Sequence, residues 1–184
     1  MKFHDILIIL ILLYSFWGCT TSTEPYPVEH PTSGTIEIMY TEGDDIVTGF
    51  LFEEGISFTL AERPNTIPDF FVLVHISESK VEGLYLGEPH LEPAFVLFSN
   101  AATADSANNY FNTLSLFPDT TLTELALPLK KNQVWGVQTN KEHFAKILIK
   151  DVWATADTSS SNIITHSGSL TMRWQYQPDG SREL

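Results

Sequence analysis

Gly168-Ser169-Leu170-Thr171-Met172-Arg173-Trp174-Gln175-Tyr176 is the stretch that decides the fold. Leu170, Met172, Trp174 and Tyr176 fall on one side of an extended chain, and Thr171, Arg173 and Gln175 fall on the other. A strict period of two belongs to a strand, because successive side chains leave its backbone in opposite directions. The pattern predicts a strand over 168–176 with one packed face and one wet face.

Immediately upstream, 143–153 reads as a second strand. Ala145, Ile147 and Ile149 share one face, while Phe144 and Leu148 alternate with Lys146 and Lys150 on the other. Lysine stems can cover apolar surface while their ammonium groups stay in water. The polar run Gln138-Thr139-Asn140-Lys141-Glu142 joins this strand to 133–138, so 133–153 is expected to form an antiparallel hairpin.

Working toward the amino terminus, short runs rich in Ile, Val, Phe, Tyr and Thr alternate with Gly, Pro, Asn, Asp and Ser. They predict further strands at 35–41, 46–52, 56–61, 69–76, 82–86, 93–98, 113–117 and 123–128. Gly43-Asp44-Asp45 and Glu53-Glu54-Gly55 read as turns, which makes the early sheet a meander. Between Ala101 and Leu114, Ala101, Ala102, Ala104 and Ala107 favour helix, and a short helical crossover is expected there. Ser159-Ser160-Ser161-Asn162 reads as an exposed loop tip, and Ser181-Arg182-Glu183-Leu184 as a polar tail. The fold class is therefore all-β, a single antiparallel β-sandwich or β-rich domain over residues 34–184.

Composition narrows the partners. Among 184 residues, 10 Lys and Arg stand against 23 Asp and Glu, a formal net charge of -13. Such a field repels nucleic acid and anionic lipid headgroups. One cysteine leaves nothing for a disulfide, so the domain must hold by packing.

That cysteine, Cys19, follows Lys2, the apolar run from Ile6 to Leu13, and Tyr14-Ser15-Phe16-Trp17-Gly18. A basic start, an apolar run and a small residue before cysteine make a bacterial lipoprotein signal over residues 1–18. The thiol can carry a diacylglyceryl thioether, and cleavage frees an amine for a further chain, such as palmitate. Several chains hold where one holds only reversibly, at roughly 0.8 kcal/mol for each buried methylene. Phe16 and Trp17 replace the commonest Leu and Ala/Ser, as in the looser signals of some Gram-negative groups. Secretion with Cys19 left as a free thiol and a retained membrane helix are the alternatives; Ile6 to Gly18 falls short of the roughly 20 residues that cross hydrocarbon. Residues 19–33, with Thr20-Thr21-Ser22-Thr23-Glu24-Pro25-Tyr26-Pro27, read as a tether. Thr20 lacks the aspartate that favours inner-membrane retention, so the expected location is the outer membrane of a Gram-negative bacterium.

Motifs of chemistry are sparse. Neither a glycine-rich phosphate loop nor HExxH, CxxC or GxSxG is present. Glu42, Asp44 and Asp45 lack the oxygen spacing of a calcium loop and read as turn residues, as do Glu53 and Glu54. His75, His90, His143 and His166 could ligate iron or zinc only if two or more converge in space. Read locally, His75 is a boundary residue in an apolar strand, His90 and His143 are surface positions, and His166 ends a serine-rich loop. Ser77 and Ser79 lie near His75 and Glu78, but neighbours in a strand face opposite ways and no nucleophile elbow surrounds them. Trp135, Trp153 and Trp174 read as core or interface residues, and Tyr85, Tyr110 and Tyr176 share that ambiguity with ligand grooves.

Gln133-Val134-Trp135-Gly136-Val137-Gln138-Thr139, His143-Phe144-Ala145-Lys146-Ile147-Leu148-Ile149 and Leu170 to Gln177 carry a family likeness. Together with Cys19, this pattern resembles the HmuY-like haem-capturing lipoproteins of Bacteroidota, in which such a hairpin precedes a final aromatic strand. The turn Asn140-Lys141-Glu142 departs from the family by lacking glycine. The resemblance implies a β-rich domain on an outer-membrane lipid anchor, and haem as a candidate cofactor with no ligand assigned to a particular histidine. The expectation is a membrane-anchored envelope lipoprotein with a non-enzymatic domain that binds a ligand or an envelope or extracellular partner. A haem-binding carrier and a structural or adhesion lipoprotein are the alternatives.

Overall fold

The computed structural model describes residues 30–42, 47–78, 80–158 and 164–184. Ten strands and one helix follow in chain order. They are β1 (Ser33–Thr41), β2 (Thr48–Leu51), β3 (Ile56–Thr59), β4 (Phe70–Ser77), β5 (Lys80–Gly87), β6 (Phe95–Asn100), α1 (Ala104–Thr113), β7 (Leu125–Ala126), β8 (Gln133–Gln138), β9 (Phe144–Thr158) and β10 (Ile164–Gln177). Two five-stranded sheets run in the orders β1-β10-β9-β8-β6 and β3-β2-β4-β5-β7, and every pairing is antiparallel. The domain is an all-β sandwich.

Its core lies between the sheets, where the alternation of β10 points. Leu170, Met172, Trp174 and Tyr176 are buried, with Ala145, Ile147 and Ile149 of β9 beside them. From the opposite sheet come Phe50, Phe70, Val72, Leu84 and Leu86. Each such side chain contributes roughly 1.5–3 kcal/mol by leaving water. An aromatic cluster knits the layers: Phe50 lies 5.7 Å from the Trp174 ring, and Phe52 lies 5.9 Å from it and 5.8 Å from Tyr176. Trp174 fits because two glycines give way. A Cβ on Gly34 would stand 3.1 Å from its Nε1, and one on Gly55 (φ 67°) only 2.9 Å from its Cζ2.

Several expectations are corrected. The early strands form no simple meander, because β1 leaves for the other sheet and pairs along its whole length with β10. β10 offers nine consecutive partners, whereas β2 has four residues. In the second sheet β2 sits between β3 and β4. The expected turn at Gly43-Asp44-Asp45 lies outside the described residues; the one at Glu53-Glu54-Gly55 is present. Of the strand expected at 113–117, none forms: α1 ends at Thr113, and Leu116 makes a single bridge to Glu183. The 123–128 strand shrinks to Leu125–Ala126. The polar tail is tied down, with Phe117 N–H donating to Arg182 O and Leu184 N–H to Ser115 O. The loop at Ser159-Ser160-Ser161-Asn162 is outside the described residues.

The outer face of β10 is not simply wet either. α1 crosses the first sheet and buries Ala107 and Phe111 against Val134 and Leu148, with Phe98, Ala101 and Leu114 around them. Thr103 caps its start by accepting from Ser106 N–H. Its last turn holds no basic residue. Lys146 fills that role from β9: its ammonium donates to Leu114 O and stands over the Phe111 ring, while Arg173 stacks on the same ring at 4.6 Å. Lys146 is 1% exposed, so the expected solvated lysine is instead a buried cap on the negative end of the helix.

A register shift in β9 re-aims one of the tryptophans. Met172 faces Ile149 but Thr171 faces Asp151, so Lys150 is an extra residue in β9. Such a bulge reverses the inward and outward sequence beyond it. Val152 and Ala154 then pack toward the core, and Trp153 is turned out.

Candidate functional site

Cys19 lies outside the described residues, as does the rest of the signal and all but the last residues of the tether. The histidines are dispersed. His143, immediately before β9, shares a 2.7 Å hydrogen bond between Nδ1 and the Tyr176 hydroxyl. His166, near the start of β10, is held by Glu42, whose carboxylate binds both its ring and its backbone N–H. Ten residues of one strand separate His166 from Tyr176, about 33 Å at 3.3 Å per residue, so His143 and His166 cannot clasp one iron. His75 stands on the outward face of β4 against Tyr85, 6.3 Å between rings, and His90 is exposed in the loop after β5. Among the described residues no cluster of three or more His, Cys, Asp or Glu side chains could hold a metal.

The remaining candidates resolve into structural roles. Ser77 ends β4, exposed, and Ser79 is outside the described residues, as are Asp44 and Asp45. Glu54 pairs with Arg63 at 2.7 Å, and Glu53 pairs with Lys141. This second pair ties the turn of one sheet to the turn of the other. Trp135 and Trp174 are buried, as is Tyr176; Tyr110 is exposed on α1, and Tyr85 is half-buried.

Two buried carboxylates gave no signal in the sequence. Asp69 is 3% exposed and accepts the Phe52 N–H at 2.8 Å. Burial pushes its carboxyl up to about 6, against the pull of that N–H and of Lys141. The nearby Tyr176 hydroxyl is pushed up to about 12, chiefly by burial and then by Asp69 and Glu53. Glu88 accepts the N–H groups of His90 and Glu92 at 2.7 and 2.9 Å, which folds the loop before β6 around it. Glu88 reads as a loop residue and Asp69 as the first residue of the strand expected at 69–76, whereas the strand begins at Phe70; only the fold shows that both carboxylates turn inward.

An opening toward solvent lies on one side of the sandwich. The segment between β7 and β8 bridges the two sheets, with Leu129 N–H donating to Leu84 O of β5 and Asn132 N–H to Ile149 O of β9. Beyond that bridge both strands lose their outer neighbours. β8 stops pairing with β9 at Leu148, and β7 pairs with β5 only at Leu86 and Gly87. A cavity of about 220 Å³ opens between them, lined by Val81, Glu82, Gly83 and Leu84 of β5, Leu129, and Val152, Trp153 and Ala154 of β9. Trp153 is 44% exposed at this cleft. A second register shift, between His75 and Ile76, makes Glu82 an extra residue in β5, so a bulge lies on each strand lining the cavity. Gly83, at φ 145°, has nothing within 4 Å of where a Cβ would stand. That backbone conformation is reserved for glycine.

The chain matches no protein-family model and no curated protein sequence.

Proposed function

We propose that this protein is an envelope lipoprotein, anchored by acylated Cys19 to the outer membrane of a Gram-negative bacterium, whose sandwich binds a ligand or partner without chemically changing it. The observation that carries the binding reading is Trp153, 44% exposed, among the residues lining a cleft between two strand edges. Indoles are enriched where proteins recognise partners. The placement at a membrane rests on Cys19 following the apolar run.

The non-enzymatic reading is supported by how the buried ionisable groups are spent. Asp69 binds the Phe52 N–H, Glu88 binds two loop N–H groups, and Lys146 caps α1. Each holds backbone in place. The net charge of -13 favours basic or neutral partners over nucleic acid.

Fractionation of cells expressing the full chain, with mass spectrometry of its amino terminus, tests the anchor. The expected product begins at a diacylated or triacylated Cys19 in the outer membrane, and Cys19→Ser shifts it to the soluble fraction. An unprocessed amino terminus, or membrane association unchanged by Cys19→Ser, overturns the reading.

A further inference from the structure

We propose that the cleft beside Trp153 takes a basic side chain, arginine above lysine, from an extended segment of a partner protein that adds as a strand to the free edge of β9. The inference rests on the reading of this cleft as the binding site. Three features of the geometry converge on it.

The first is the edge itself. β1 and β10 exchange bonds at even-numbered residues, as Tyr176 N–H to Thr32 O and Glu42 N–H to His166 O show. Odd residues of β10 therefore face β9, and Ser169 meets Trp153 directly. By the same alternation, the N–H and C=O groups of Val152, Ala154 and Ala156 point away from β10. Among the described residues no strand pairs with them. A row of such groups is a template for an incoming strand.

The second is the chemistry of the lining. Trp153, Glu82 and apolar residues of both sheets line the cavity, and the charged residue among them is Glu82. Lys131, on the bridging segment, is engaged by Asp151 at 3.5 Å. An indole face attracts a cation through its quadrupole, and guanidinium stacks on it better than ammonium does. Glu82 adds a counter-charge, and the half-buried Val81, Val152 and Ala154 suit the methylene stem. The volume of about 220 Å³ accommodates one long side chain.

The third is the long-range field. A net charge of -13 draws a basic segment toward the domain before any contact forms.

Calorimetry and amide NMR on the full chain, with acetyl-Thr-Val-Arg-Val-Thr-amide as probe, test the proposal. Expected are amide shifts at Val152, Ala154 and Ala156, weaker binding at high salt, and affinity lost at least tenfold in Trp153→Ala and fivefold in Glu82→Gln, with Trp153→Phe within about threefold of the parent. Glu82→Gln lies on the surface and keeps the test meaningful if the tryptophan variant folds poorly. Absence of binding at millimolar peptide, or affinity untouched by both Trp153→Ala and Glu82→Gln, overturns the proposal. Equal affinity for the same peptide with glutamate in place of arginine overturns its charge selectivity while leaving the cleft a binding site. Equal affinity for N-acetylarginine amide overturns strand addition and assigns the cleft to free organic cations.

Discussion

The ammonium of Lys146 stands 5.0 Å from the centre of the Phe111 ring. With Arg173 on the same ring and Leu114 O accepting from Lys146, one buried cation from a strand fixes the only helix among the described residues to the sheet beneath it. Burial first, and Arg173 second, hold the Lys146 ammonium below the usual lysine range. The attachment is therefore made of desolvated contacts, which salt screens little.

Lys146→Ala is expected to cost about 2–4 kcal/mol, through the lost stem, the lost ring contact and an unsatisfied helix-end carbonyl. Lys146→Met keeps the stem against Phe111 and is expected to cost less. Denaturant melts at low and high salt check both; a cost that vanishes at high salt contradicts the buried cap.

Asp69 gives the fold a pH dependence of unusual sign. Its folded carboxyl, near 6, is raised above the ordinary 3.8, so the native state holds a proton that the unfolded chain releases between those values. Stability from this group is present below pH 4 and is lost as pH rises to about 6, by up to about 3 kcal/mol, with no further change above. The lowered carboxyls of Glu42 and Glu53 act oppositely, losing stability on acidification, and both are exposed enough for solvent to weaken the effect. Asp69→Asn can still accept the Phe52 N–H. The difference between parent and Asp69→Asn, from melts at pH 4.5 and 7.5, isolates the effect: the variant gains on the parent as pH rises.

Trp174→Ala is expected to cost about 3–5 kcal/mol, by opening a cavity in the aromatic cluster. Arg173→Ala is expected to cost about 1 kcal/mol, more than a free surface residue, because its guanidinium covers Phe111. Gly55→Ala is expected to destabilise by about 2 kcal/mol, since positive φ and the clash with Trp174 act together. Equal small losses in all three melts contradict the packing of β10.

Trp153→Ala is expected to change stability by under about 0.5 kcal/mol, as exposed substitutions do. Trp135→Ala and Trp174→Ala serve as buried comparisons. A cost near theirs places the Trp153 side chain inside the domain.

Much of the sandwich was legible in period-two patterning. β10, the β8–β9 hairpin and the helical crossover all stand where alternation, turn residues and alanines put them. Four things escaped for physical reasons. Alternation says which way a side chain points but not which strand lies beside it, so the pairing of β1 with β10 was hidden. A bulge is one extra residue with no composition of its own, and the one at Lys150 turned Trp153, read as core or interface, out toward solvent. Lysine is read as solvated by default, whereas Lys146 answers the end of a helix 32 residues away in sequence. The cleft had no local signal, because its walls come from two sheets and exist only where their neighbouring strands stop.

Ser33 pairs with Gln175 at one end of the first sheet, and Ala154 pairs with Gly168 at the other. A tug between the segment leading into β1 and a partner gripping β9 therefore runs parallel to the strands. The β1–β10 rungs would then resist in shear, sharing the load together instead of unzipping one after another.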